Sequence, residues 1–335
     1  MPEHLLEHGG NLRDAARAHG RPLAQWIDLS TGINPHWYPV PATTPNAWHR
    51  LPEADPALLD AACHYYGAPA MLAVAGTQAA IQALPRLRAP GRVVVAAPSY
   101  AEHAHHWGQH GHQLRQVAYA ELNEAVDDCE VLVICNPNNP TGVRIAPGQL
   151  QAWAEKLAAR GGWLVVDEAF GDTEEAATSL GAHTGQAGLI VLRSVGKFFG
   201  LAGLRLGFVA AHPALLAKLA AMLGPWTVSG PAQQVALAAL CDTDWQQAMR
   251  ARLQNEGARL RQLLASYGIA STGCALFQWW PEQQAENFHR HMAERGIWVR
   301  LFRHAARGIR LGLPPNEPAW QQLEQALIAW NKENT

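Results

Sequence analysis

The stretch "LIVLRSVGKFFGLAGLRLGFVAA", residues 189–211, decides how this chain is read. It opens and closes on apolar runs, "LIVLRS" (189–194) and "LGFVAA" (206–211), without the apolar–polar alternation of a half-exposed strand. Such runs suit strands buried on both faces and predict a sheet covered by helices. Between them sit one lysine, Lys197, and one arginine, Arg205, among Gly196, Gly200, Gly203 and Gly207. A surface segment would carry more charge. A packed helix or strand would carry fewer glycines, because each costs roughly 0.5–1 kcal/mol relative to alanine.

Working outward, the same texture recurs in "MLAVAG" (71–76), "RVVVAAP" (92–98), "VLVICN" (131–136) and "WLVVDEAF" (163–170). Helical patterns such as "GQLQAWAEKLAAR" (148–160) fill the gaps. Strand–helix alternation predicts an α/β fold with a mostly parallel central sheet. From about Trp226 the chain turns helical, interrupted by the shorter strand candidates "CALFQWW" and "GIRLGL". This predicts an N-terminal arm over 1–35, a large domain over 36–225 and a smaller α+β domain over 226–335.

The formal charge of −2 gives no general attraction to nucleic acid or to an anionic membrane, so any phosphate recognition must be local. Cys63, Cys129, Cys135, Cys241 and Cys274 are scattered and form no CxxC pair, which argues for a reducing compartment. The opening "MPEHLLEHGGN" lacks the basic and apolar regions of a secretion signal. No stretch approaches the ~20 apolar residues of a membrane helix. The expectation is a cytoplasmic protein with neither a nucleic-acid nor a membrane partner.

In α/β sheets, ligands bind beyond the carboxyl ends of the strands. The first strand candidate ends in Gly76-Thr77-Gln78, where small residues open a helix. Unpaired N–H groups there can bind phosphate, although a plain helix cap reads the same way. The second delivers Tyr100. The third ends in "NPNNPTG" (136–142), whose prolines stiffen the chain around Asn139. The fourth delivers Asp167 and Glu168, and the fifth Ser194 and then Lys197. An acid at the end of a buried strand is expensive unless a cation or hydrogen bonds satisfy it.

This set of groups suits a phosphorylated pyridine aldehyde. Arg205, Ser194 and the amides of Gly76, Thr77 and Gln78 would take its phosphate. Asp167 would hold the ring nitrogen protonated, and Asn139 would donate to the ring oxygen. Lys197 would capture the aldehyde, helped by an apolar and cationic setting.

"NPNNPTG", "VVDEAF", "SVGKFFGLAGLRLG" and the distal "GIRLGL" together resemble the aspartate aminotransferase superfamily, the fold-type-I pyridoxal-phosphate enzymes. The resemblance covers nearly the whole chain. It is closest to the branch containing histidinol-phosphate aminotransferase and threonine-phosphate decarboxylase. "HGGN" (8–11) and "LSTGINP" (29–35) are similar to the decarboxylases of that branch. Phe170 also fits them, because aminotransferases usually carry a tyrosine there.

The resemblance implies pyridoxal 5'-phosphate as cofactor and a small phosphorylated amino acid as substrate. The reaction implied is decarboxylation of L-threonine O-3-phosphate to (R)-1-amino-2-propanol O-2-phosphate in cobalamin biosynthesis, with a histidinol-phosphate type of aminotransfer as the alternative. Lys197 and Asp167 would be catalytic, and Tyr100 would stack on the cofactor ring. Arg310 would meet the substrate carboxylate and Arg300 its phosphate, with His8, Asn11, Gly32 and Asn139 completing the substrate site. A homodimer is implied, with Trp37 and Trp48 candidates for its interface. Leu51 stands where the family often has a tyrosine that reaches the neighbouring subunit's cofactor phosphate.

Competing motifs are weaker. "HLLEH" (4–8) has the H-x-x-E-H zinc spacing but sits at the terminus before two glycines. "HAHHWGQHGH" (103–112) reads as a solvated helix and loop before it reads as a metal site. "GK" at 196–197 lacks the rest of a phosphate-binding loop of nucleotide enzymes. No metal is expected, and Glu168 is read as structural.

Overall fold

The structure, a computed structural model, describes residues 8–304 and 306–334. Its strands are β1 (Ile27–Leu29), β2 (Met71–Val74), β3 (Arg92–Ala97), β4 (Gln113–Ala118), β5 (Val131–Cys135) and β6 (Trp163–Asp167). They continue as β7 (Leu189–Ser194), β8 (Gly207–Ala211), β9 (Thr272–Cys274), β10 (Phe277–Pro281), β11 (Ile297–Phe302) and β12 (Gly308–Gly312). The chain divides into two compact units. The larger comprises Trp37–Asn139 and Val143–Arg250; the smaller comprises the described residues up to His36, Pro140–Gly142 and those from Ala251 on.

The larger unit is built on a seven-stranded sheet of order β2-β8-β7-β6-β5-β3-β4. Strands β3 to β7 run parallel, and β8 lies antiparallel between β7 and β2. Every residue of β5, β7 and β8 is buried. Their Val, Ile, Leu and Ala side chains therefore have no solvent face, as their unbroken apolar runs predict. Helices Thr77–Ala83, Ala101–Gln109 and Pro147–Ala158 follow β2, β3 and β5, so each strand hands its carboxyl end to a connecting loop or helix start.

The smaller unit has a five-stranded sheet of order β1-β11-β12-β10-β9. Strand β11 alternates: Ile297, Val299 and Leu301 are buried, while Trp298, Arg300 and Phe302 on the other face are half-buried. The buried face belongs to the core with Phe288 of helix Ala285–Glu294, whose ring meets Trp280 and Trp330 edge-on.

Each of the six apolar runs read as strands in the larger unit is a strand, shortened by up to three residues. Strand β4 has no counterpart among the expected strands. It is an edge strand, and "QLRQVA" buries only Val117, so its sequence carries little apolar signal. "CALFQWW" is not one strand: β9 ends at Cys274 and β10 starts at Phe277. The residues read as an arm hold helix Leu12–Ala18 and β1, which pairs parallel with β11. Strand β1 is only three residues long, too short for a pattern to register. The predicted division at 225/226 falls within the larger unit, which runs to Arg250. Among the described residues no helix is long and apolar enough to cross a membrane.

Candidate active site

In the larger unit, the carboxyl ends of the strands converge on one cavity. It is lined by Gly76, Thr77 and Gln78 after β2, Tyr100 after β3, Asn139 after β5, and Asp167 and Phe170 after β6. Ser194 and Lys197 after β7 and Arg205 before β8 complete it. All the cofactor residues expected from the sequence thus share a single hollow.

Lys197 sits in the turn that follows β7, half-buried, with Nζ 5.5 Å from the centroid of the Phe170 ring. Phe198 and Phe199, the next two residues, are fully buried against Trp245, which stacks on Phe199 at 5.7 Å. These rings anchor the backbone on which the lysine stands.

Arg205 adopts the left-handed conformation at φ +55°, which costs a non-glycine residue about 1–2 kcal/mol and points to a constrained site. Its guanidinium lies over Gly76. A Cβ on Gly76 would come within 2.8 Å of Arg205 Nη2, and Gly76 itself has φ +71° and ψ 157°, a region open only to glycine. A Cβ on Gly207 would come within 2.8 Å of the Thr77 amide nitrogen. The glycines noted in the sequence therefore bring an arginine and the Gly76–Gln78 backbone into one cradle. The Ser194 hydroxyl stands beside it and accepts from the Gly196 amide at 3.2 Å.

Asp167 is 5% exposed at the end of β6. Its Oδ1 accepts from the Ala169 amide at 3.0 Å, and its Oδ2 from His103 Nε2 at 2.9 Å. His103 is not among the residues singled out from the sequence, where the 103–112 stretch reads as solvated. The structure corrects that reading: His103 and His112 are buried. His112 bridges the Gly91 amide and the Pro85 carbonyl. Burial pulls the His103 imidazole toward neutrality, but its bond to Asp167 outweighs this and carries it up to about 10. At neutral pH Asp167 therefore faces an imidazolium. A helical reading of "AEHAHHWGQ" places His103 and Trp107 on one buried face, four residues apart, and that spacing is the available signal.

His103, Cys135 and Asp167 also bring a nitrogen, a sulfur and an oxygen within 4.8 Å of one another. Cys135 and Asp167 line the cavity described above, and His103 reaches it through its bond to Asp167.

Asn136 and Asn138 help to hold the "NPNNPTG" turn. Asn136 exchanges both its side-chain bonds with the Ile145 backbone, at 2.8 and 3.2 Å, and Asn138 Nδ2 donates to the Pro98 carbonyl at 2.9 Å. Asn139 is thereby fixed at the cavity rim. The Tyr100 hydroxyl donates to Gln78 Oε1 at 3.3 Å, and Gln78 Nε2 donates to Glu102 at 2.5 Å. Burial, reinforced by Glu102 and Asp167, pushes the Tyr100 hydroxyl further from ionisation. Glu168 points away from this chemistry. It is 2% exposed, ion-paired with Arg193, and accepts from Ser179 Oγ and the Leu180 amide.

In the smaller unit, Arg300 and Arg310 are directly opposed across β11 and β12. Arg310 is 6% exposed and donates to the Ser30 carbonyl at 2.7 Å. Burial, with Arg300 nearby, pulls its guanidinium down to about 10. The Gly10 amide donates to Ser30 Oγ at 2.8 Å, so the segment carrying His8 and Asn11 packs on the same turn. His8 and Asn11 are exposed, and Gly32 is buried. The remainder of "HLLEH", residues 4–7, lies outside the described residues.

Against known proteins, the sequence pattern of the aminotransferase class I and II family matches residues 25–315. A threonine-phosphate decarboxylase of Pseudomonas aeruginosa is 51% identical over 329 residues, covering 98% of this chain and 99% of that one. A second, from Sinorhizobium, is 41% identical over 96% of this chain and 97% of its own. Among solved structures, histidinol-phosphate aminotransferase from Sinorhizobium meliloti, in complex with pyridoxal-5'-phosphate, superposes with a TM-score of 0.83. It covers 98% of this chain and 96% of its own at 20% identity. L-threonine-O-3-phosphate decarboxylase from Porphyromonas gingivalis gives 0.77 over 91% and 99% of the two chains at 18% identity. These two likenesses establish the fold.

Proposed function

From the aminotransferase class I and II family, to which the chain belongs, we propose that this protein is a pyridoxal-phosphate lyase that decarboxylates L-threonine O-3-phosphate to (R)-1-amino-2-propanol O-2-phosphate. The substrate assignment is carried by the near-full-length identity to the Pseudomonas decarboxylase. The geometry supports it by placing a lysine, a buried acid and an anion cradle around one cavity.

The residues fit the cofactor. Only a glycine at 76 leaves the space beside Arg205 Nη2 open, and the buried Asp167, held by His103, lines the same cavity where a ring nitrogen would lie. Arg205, Ser194 and the Gly76–Gln78 amides would hold the phosphate. Asp167 would keep the ring nitrogen protonated, Asn139 would donate to the ring oxygen, and Tyr100 would lie on the ring face. When bound, pyridoxal phosphate supplies an electron-poor ring that takes up the electron pair released as a bond to the substrate α-carbon breaks.

Lys197 Nζ would anchor the cofactor aldehyde at rest and deliver the proton that replaces the lost carboxylate on the α-carbon. Arg310 would orient that carboxylate and Arg300 the substrate phosphate, with His8, Asn11 and Gly32 assisting. The reading extends to a place in cobalamin biosynthesis, a cytoplasmic location and a homodimer. Trp37 and Trp48, 66% and 74% exposed on the larger unit, support a second copy as partner.

Incubation of the purified protein with threonine phosphate should release carbon dioxide without an added keto acid. Glutamate formed from histidinol phosphate and 2-oxoglutarate, with no carbon dioxide from threonine phosphate, would replace the decarboxylase by an aminotransferase.

A further inference from the structure

Strand register places a tryptophan beside the two arginines on one face of the smaller sheet. Arg300 on β11 is opposite Arg310 on β12, and Arg310 is opposite Trp279 on β10. Directly opposed residues in antiparallel strands point to the same side, with Cβ atoms about 4.5–5.5 Å apart. The three side chains therefore form one row, Arg300–Arg310–Trp279. Trp279 is partly buried, and its indole Nε1 is enclosed yet has no hydrogen-bond acceptor among the described residues.

An enclosed donor with no acceptor is costly, about 1–3 kcal/mol, and buried indole N–H groups normally find partners. The neighbour across the strand shows what kind of partner suits this one. Arg310 is a buried cation whose guanidinium lies over the Phe277 ring at 5.2 Å, two residues before Trp279 on the same face. An anion drawn to Arg310 would meet the indole N–H at the adjacent position in the row.

We infer that Trp279 is a substrate-binding residue, donating its indole N–H to the anionic group that Arg310 binds. Resting on the function proposed above, that group is the substrate α-carboxylate. The phosphate belongs to the other end of the row, at Arg300. A neutral donor suits this position. A second cation beside Arg310 would stabilise the carboxylate before it is lost more than the transition state in which its charge disperses. An N–H can fix the carboxylate's direction with a smaller penalty of that kind. The row also gives a physical basis for selectivity: a ligand without a carboxylate leaves the indole as it stands.

The test uses the cofactor-loaded protein and two ligands that differ only in the carboxylate: threonine phosphate, and 1-amino-2-propanol phosphate, the amine that lacks it. Binding is read from the change each ligand makes in the cofactor's visible spectrum. Trp279→Phe should weaken threonine phosphate by about 10- to 100-fold, the range for a hydrogen bond to a charged group. It should leave the amine phosphate within about threefold, the scatter expected of a ligand that makes no such bond. Replacing the indole by benzothiophene, through incorporation of benzothienylalanine at position 279, keeps the ring's size and removes only the N–H. It should give the same split, and it decides the matter where the phenylalanine variant folds poorly. Equal loss for both ligands, or no loss for either, removes Trp279 from the carboxylate site while leaving the proposed function standing. If the unaltered protein responds to neither ligand, the proposed function falls and this assignment with it.

Discussion

The bond between His103 and Asp167 makes a prediction whose pH dependence can be worked through. His103 is 2% exposed and its imidazole is carried up to about 10 against an ordinary value of 6.5. A group whose folded pKa is raised contributes stability that is complete below its unfolded pKa and is lost as the pH climbs to its folded one. The His103–Asp167 pair should therefore stabilise the fold fully below about pH 6.5, progressively less above it, and not at all beyond about pH 10. Replacing His103 by asparagine leaves Asp167 buried without its cation. Breaking a buried pair from one side typically costs about 3–5 kcal/mol. Urea unfolding of the apo protein and of His103→Asn, at intervals from about pH 6 to pH 10, measures the difference. The gap should be widest at the acid end and should close steadily toward the alkaline end. A gap that stays constant, or widens with pH, would refute the claim that His103 is charged in the folded protein.

Other substitutions test the same geometry. Lys197→Ala should abolish the visible band of lysine-bound cofactor, and a surviving pH-sensitive band would move the anchor elsewhere. Gly76→Ala forces a Cβ to within 2.8 Å of Arg205 Nη2 in a backbone region costing about 1–3 kcal/mol. Its affinity for pyridoxal phosphate, measured by fluorescence titration, should drop at least tenfold, taking ~1.4 kcal/mol as the low end. Glu168→Gln leaves Arg193 buried with half its partners, so thermal or urea unfolding should show a loss of about 3–5 kcal/mol. The fraction that stays folded should still decarboxylate, because Glu168 faces Arg193, Ser179 and Leu180 rather than the cavity.

The strand ends that line the cavity were more legible in the sequence than the edges of the sheets, for a physical reason. Buried parallel strands leave an unbroken apolar signature, and the residues just past each carboxyl end are forced toward the ligand side. Reading strand ends therefore located Gly76, Tyr100, Asn139, Asp167, Ser194 and Lys197 together. Two of the edge strands, β4 and β1, leave no such mark. Strand β4 is mostly polar, and β1 is three residues long. Strand β11 alternates two kinds of face, and "IWVRLF" places Arg300 within a run of large apolar side chains. Partners that reach the site from a helix are harder still. His103 lies in a histidine-rich segment whose less buried members, such as His110, hide the one that is buried. Trp279 is one of thirteen tryptophans, and nothing local separates it from Trp280, which faces Phe288 in the core.

A common lysine, acid and ring serve both decarboxylation and aminotransfer, so the difference lies in how the two anions of the substrate are held and which bond to the α-carbon they turn toward cleavage. A carboxylate gripped by a strong, exposed cation is stabilised more before bond breaking than in the transition state, where its charge disperses, and that raises the barrier. Arg310 is arranged otherwise. One of its nitrogens already donates to the Ser30 carbonyl, its side chain is buried, and Arg300 stands across the strand. Burial, with that like charge, makes the cation less stable than an ordinary guanidinium. An arginine so placed gains from added negative charge and can hold a dianionic substrate. A phosphate at Arg300 would relieve the repulsion that the carboxylate's departure would otherwise leave behind. On this argument the phosphate is more than a handle for affinity. An amino acid without it should lose turnover as well as binding, because the arginine pair would then be left with no substrate anion when carbon dioxide leaves.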